Sequence, residues 1–202
     1  EEVIVLEMGV DKPGDMSFLL SIIKPDIAVM GPISPVHMDD GQFKSLDEVF
    51  EEKSKMVKAL DKDGVAVLYA DDERTSKLTH GRSKNRTFTY GTTPDADFKA
   101  TAVEETVDGI KFNLSMEGRR VEVFVPVLGK QHVGIVLPAI ICGLQLGLTL
   151  EETLLALQRF KLPPGRFNLI EASVEGAVII DSTYNSSPKA CAEALRTLAS
   201  SD

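Results

Sequence analysis

The chain has 202 residues, 43% of them hydrophobic and 26% charged, which is enough for one full domain core and part of a second. Against 22 basic side chains stand 31 acidic ones, a net charge of -9, so no basic stripe can replace phosphate counterions; a nucleic-acid surface is excluded and any anionic ligand must be held locally. Cys142 and Cys191 lack metal-type spacing and read as small buried hydrophobes in a reducing compartment, and the longest apolar stretch, Val133 to Leu148, is too short and interrupted to span a membrane. With no signal-peptide pattern, these features predict a cytoplasmic globular protein whose first and last residues read as cut ends.

Val3-Ile4-Val5-Leu6 is a β-branched run ending in Glu7-Met8-Gly9, which predicts a strand with a carboxylate at its C-terminal tip. Such a carboxylate needs a partner, and for Glu7 two readings stand open, a cation or a structural hydrogen bond. Pro13-Gly14-Asp15 turns the chain into a helix through Phe18, Leu19, Ile22 and Ile23, and Lys24-Pro25-Asp26 ends it before a strand at Ile27 to Met30. Gly31-Pro32 stops that strand and delivers His37 just past its C-terminal end, where open α/β sheets place their ligand crevice. A lone loop histidine also reads as a solvated residue.

Ser45-x-x-Glu48 is a capping box that opens a helix in which Leu46, Val49, Phe50, Met56, Val57 and Leu60 recur at helical spacing. Lys53 lies among them, either turned inward or solvated beside Lys55. Asp63-Gly64 leads into a strand, Val65 to Tyr69, that ends in Ala70-Asp71-Asp72. From Thr87 to Val127 the pattern is of alternating strands, Thr87 to Tyr90, Phe98 to Val103, Ile110 to Ser115 and Val121 to Val127, with turns at Asp108-Gly109 and Glu117-Gly118; this predicts an antiparallel meander. Val133 to Leu146 predicts a helix buried on most sides, and Thr149-x-x-Glu152 caps the next. Arg166, after Leu162-Pro163-Pro164-Gly165, is either a surface charge or a fork of the right reach for a phosphate. A strand at Ala177 to Ile180, a polar junction from Asp181 to Ser187, and a helix capped by Ser187 with Pro188 at its first position complete the chain. The fold class is α/β, a mostly parallel sheet with flanking helices plus a small antiparallel meander.

In order and spacing, Leu6-Glu7-Met8-Gly9 with Pro13-Gly14-Asp15, Lys24 to Val29, Ile33-Ser34-Pro35-Val36-His37, Lys53, Gly64 to Leu68 with Asp71-Asp72, Gly165-Arg166, and Ile180-Asp181 through Tyr184-Asn185 to Pro188 resemble the central domain of the Mur ligases. These are ATP-dependent amide ligases of peptidoglycan precursor synthesis. The Tyr184-Asn185-x-x-Pro188 ending points to the branch that adds D-Ala-D-Ala to UDP-MurNAc-tripeptide, rather than to the folylpolyglutamate or cyanophycin ligases. The resemblance implies a central ATP-binding domain over residues 1–178, a hinge and the start of a C-terminal ligase domain over 179–202, ATP and Mg2+ as cofactors, UDP-MurNAc-peptide and D-Ala-D-Ala as small-molecule substrates, and a monomer without nucleic-acid or membrane partners. It implies that Glu7 and His37 bind magnesium, that Lys53 becomes carbamylated beside the metal, that Arg166 touches the nucleotide phosphates, and that Tyr184 and Asn185 lie at the hinge. Several positions depart from the family pattern. Its glycine-rich phosphate loop does not occur within the chain, Gly31-Pro32 replaces a threonine-asparagine, and Tyr69 replaces an asparagine. Gln131-His132 and Ile135 stand where the family places adenine-side histidine and asparagines, and Ser182 replaces an aspartate, which leaves His132 and Asp181 as the nearest substitutes for nucleotide contacts. A sister ligase acting on glutamate or folate, and a non-catalytic binding module that kept the fold, are the competing readings.

Overall fold

The first helix, α1 (Asp15–Ile22), begins where Gly14 adopts φ 101° and the Asp15 carboxylate folds back to accept the N–H groups of Asp11 and Lys12. The computed structural model describes residues 2–35, 38–39, 41–106, 108–171, 178–184 and 188–199, which divide into two units, 1–97 and 98–202. In the first unit, β1 (Ile27–Met30), β2 (Val65–Tyr69) and β3 (Thr87–Gly91) run parallel in that order. Helix α2 (Leu46–Lys58) makes the β1-to-β2 crossover. Its cap is a capping box shifted by one residue: Ser45 Oγ accepts the Glu48 N–H at 3.2 Å, but the Glu48 carboxylate accepts from Lys44 N–H, at 2.8 Å, rather than from Ser45. Val57 and Leu60 pack on Ala28, Met30, Ala66 and Leu68, while Val49 meets Met16, Val10 and Phe43 in a second cluster that docks α1 on α2.

Two expectations are corrected in this unit. Thr87 to Tyr90, expected only as the first strand of the meander, pairs parallel with β2 as a third parallel strand, because the link after β2 is a crossover built from the one-turn helix α3 (Glu73–Ser76) and two short 3-10 turns. Val3 to Leu6 forms no strand: the run is solvent-facing, with Val5 90% exposed. β-Branched side chains suit a pleated surface, but a strand also needs a ladder partner, and no described strand pairs with this segment.

The second unit holds the expected meander, β4 (Phe98–Thr106), β5 (Gly109–Met116) and β6 (Arg119–Val125), with a bulge between Thr101 and Glu104 where Ala102 takes φ 50°. Helix α4 (Val133–Gln145) buries Val133, Val136, Leu137, Ile140 and Ile141, each contributing about 1.5–3 kcal/mol in transfer terms. Helix α5 (Leu150–Leu157) has the complete capping box at Thr149 and Glu152. A short antiparallel pair, β7 (Asn168–Glu171) with β8 (Val178–Asp181), and helix α6 (Pro188–Ala199) follow; the expected cap Ser187 lies outside the described residues. Both thiols are free, Cys142 partly buried and Cys191 exposed, the latter against expectation. Among the described residues no helix is long and apolar enough to cross a membrane.

Candidate functional site

In the first unit the polar strand ends are tied mainly to backbone. The Asp71 carboxylate, just past β2, accepts the N–H groups of Thr92 and Thr93 and the Thr92 hydroxyl at 2.7–2.9 Å. Burial pushes its pKa up, but these hydrogen bonds win and hold it below the usual carboxylate range. A Cβ on Gly91 would sit 2.3 Å from Asp71 Oδ1, so a larger residue there would push the carboxylate off these donors. Asp72 uses one oxygen to cap α3 through Arg74 N–H, at 2.9 Å, and the other to accept Ile33 N–H, at 3.0 Å. It thereby fastens the loop leaving β1, the loop that continues to His37. Burial, then the charge of Asp71, raises the pKa of Tyr69, whose ring lies 5.4 Å from that of Tyr90.

The predicted site residues of this unit are less constrained. Glu7 is exposed on the segment before α1, and His37 lies outside the described residues. Lys53 is half-buried on α2. Its neighbours Lys55 and Lys58 pair with Glu52 at 2.7 Å and Glu51 at 2.8 Å, whereas Lys53 has no ion pair among the described residues. Glu7 and Lys53 are not joined by any described contact.

The second unit brings its residues together. Arg166 N–H donates to Pro163 O at 3.2 Å and to Asn168 Oδ1 at 3.0 Å, closing a tight turn. Gly165 sits at φ 75° with Tyr184 N only 3.0 Å from where a Cβ would be, and its carbonyl accepts Tyr184 N–H at 3.1 Å. The Arg166 guanidinium lies over the Tyr184 ring, 4.0 Å from its centroid. The Asp181 carboxylate accepts the Thr183 hydroxyl at 2.7 Å and the Thr183 N–H at 3.1 Å, which lower its pKa, the hydroxyl foremost. His132 joins this group through Phe167, whose buried ring meets the imidazole edge-on at 5.8 Å. Its Nδ1 donates to Leu128 O, and burial depresses its pKa. Beside Phe167 opens a cleft of about 270 Å³, lined among others by Asp108, Leu128, Lys161, Leu162 and Asn168. Asn185 is outside the described residues.

Sequence reasoning missed Phe167 and Glu52. Phe167 is a non-glycine residue at φ 68°, and nothing in its own identity announces that. Glu52 had a usable signal, since it follows Val49 by three residues and so shares its apolar helix face.

A magnesium ion takes oxygen donors, keeps several waters and uses one or two carboxylates with substrate phosphates. Glu7, exposed and without a described protein partner, fits as such a carboxylate; among the described residues no three acidic, histidine or cysteine side chains cluster into a ready-made cage.

The Mur ligase middle domain family model matches residues 1–143. The chain is 30% identical over 195 residues to the UDP-N-acetylmuramoyl-tripeptide--D-alanyl-D-alanine ligase of Bacillus subtilis, covering 96% of this chain and 41% of that one. It is similar to the crystal structure of MurF from Acinetobacter baumannii, at TM-score 0.83 and 25% identity over 96% of this chain and 42% of the other. It also matches MurF ligase from Thermotoga maritima in complex with ADP, at TM-score 0.80 and 25% identity over 95% of this chain and 43% of the other. The chain thus spans about two fifths of the length of the relatives it matches.

Proposed function

The chain belongs to the Mur ligase middle-domain family, and from that premise we propose that it is the nucleotide-handling part of an ATP-dependent ligase that joins D-Ala-D-Ala to UDP-MurNAc-tripeptide. The observation that carries the reading is the family match over residues 1–143. The ADP named for the Thermotoga maritima relative supports a nucleotide ligand. In the proposed reaction a peptide carboxylate oxygen attacks the terminal phosphorus of ATP and breaks its bond to the ADP oxygen. The amine nitrogen of D-Ala-D-Ala then bonds to the carbonyl carbon as phosphate departs and the amine loses its proton. Arg166 presents planar N–H donors that offset charge at the nucleotide phosphates, those of ADP included. Glu7 and His37 would hold magnesium, which when bound supplies further positive charge at the phosphates. Lys53, half-buried and without a described acidic partner, is the lysine we expect to be carbamylated, as an anion facing that charge.

The test uses the full-length protein carrying this domain, with ATP, UDP-MurNAc-tripeptide and a panel of amine substrates. D-Ala-D-Ala is expected to give product and phosphate in equal amounts, and labelled bicarbonate to give a carbamate carbon signal that disappears in Lys53→Ala together with most turnover. Product with glutamate on a folate acceptor, and none with D-Ala-D-Ala, would overturn the substrate assignment; undiminished turnover in Lys53→Ala would overturn the role of that lysine.

A further inference from the structure

The loop carrying Arg166 and the loop carrying Tyr184 are knitted at both ends. Tyr184 N–H donates to Gly165 O at 3.1 Å, Gly165 leaves no room for a side chain against Tyr184, and the Arg166 guanidinium rests 4.0 Å above the tyrosine ring. Arg166 is exposed, and the ring beneath it is itself 70% exposed, so neither is held by surrounding core. No described residue forms an ion pair with Arg166. A long exposed arginine ordinarily samples many rotamers, and ordering it on binding opposes affinity.

We propose that Tyr184 is a positioning residue for Arg166: its ring takes the face of the guanidinium and fixes the plane of the cation, leaving the in-plane N–H groups free for an anionic ligand. Stacking and hydrogen bonding use orthogonal surfaces of this group. The cation meets the ring through its π face, whereas phosphate oxygens are recognised in its plane, so the contact with Tyr184 pre-orders the fork without occupying its donors. The stack also makes the direction of the fork depend on the segment 182–184, and so on the chain that leads into α6. The ligand class is a nucleotide phosphate, and in this the inference rests on the function proposed above.

Arginine-selective NMR on the 202-residue chain, titrated with ADP, separates the two ideas. In the unmodified chain the Arg166 Nε–H resonance should be shifted upfield by the ring and should move on addition of ADP. Tyr184→Leu should remove the upfield shift and weaken the ADP response about three- to fivefold, the range expected for a partly exposed cation–π contact. Tyr184→Phe, which keeps a ring but no hydroxyl, should restore both, with backbone amide spectra showing that each variant is folded. If Arg166→Ala weakens ADP binding while Tyr184→Leu binds as tightly as the unmodified chain, the positioning role is wrong and the phosphate role of Arg166 stands. If Arg166→Ala binds ADP undiminished, or Arg166 does not respond to ADP at all, the phosphate role falls and the positioning role with it.

Discussion

His132 is half-buried, with Nδ1 committed to the Leu128 carbonyl and one edge of its ring against Phe167, and each contact restricts what its charge can do. Burial lowers its pKa and outweighs the opposing hydrogen bonds and the distant charge of Glu105. The folded state therefore accepts a proton less readily than the unfolded chain. Above the unfolded value, about 6.5, both states are neutral and stability is complete; as pH falls from there through the lower folded value, the unfolded state gains a proton first and stability is lost. Thermal melts from about pH 8 to about pH 5 should show this loss, and His132→Gln should show a shallower one. Parallel curves for the two proteins would mean that the imidazole is not the titrating group. The position was visible in the sequence, but its burial was not, because that depends on Phe167 turning back at φ 68° from a distant loop.

Glu52 shows the same logic between elements. It is 4% exposed on α2, accepts the N–H of Met16 at 2.9 Å and pairs with Lys55 at 2.7 Å, and Lys55 reaches on to Ser17 Oγ at 3.1 Å. Burial raises its pKa, but Lys55 and the N–H groups at the start of α1 prevail and leave it below the usual value. One acid thus fastens the N-terminus of α1 to α2. Glu52→Ala leaves the Met16 N–H without its acceptor and should destabilise the chain by about 1–3 kcal/mol, whereas Glu52→Gln keeps an acceptor and should lose less. Denaturant midpoints for the two variants check the order, and equal midpoints would contradict it. The elements best read from sequence were those set by local chemistry. Ser45 and Thr149 do cap α2 and α5, and the turns at Asp108-Gly109 and Glu117-Gly118 do set the meander, because caps and tight turns are decided within a few residues. The direction of β3 was not legible, since alternation in Thr87 to Tyr90 is the same in either orientation and the intervening helix α3 has only one turn. Nor was the stack of Arg166 on Tyr184, which needs two loops far apart in sequence to meet.

For the whole chain, the question is whether a protein of net charge -9 holds a nucleotide and turns it over. At physiological ionic strength charges further than about 8 Å from the ligand are largely screened, so the general acidity matters less than the groups beside the phosphates. Arg166 is the cation we propose for that contact, exposed at its turn with its guanidinium over the Tyr184 ring. Ground-state binding needs little more than such local donors. Phosphoryl transfer needs positive charge held around the moving group throughout the reaction, and the glycine-rich G-x-x-x-x-G-K-[ST] pattern that cradles β- and γ-phosphates occurs nowhere among these 202 residues. Even if Glu7 contributes a magnesium ligand, one arginine and one metal make an incomplete enclosure, open to water and without the backbone N–H nest. The purified 202-residue chain is therefore expected to bind ADP and ATP weakly and to release no phosphate from ATP above the rate of buffer alone. Phosphate release is the measurement that checks it. Turnover in this chain that Arg166→Ala leaves unchanged would show that the phosphates are handled by other residues.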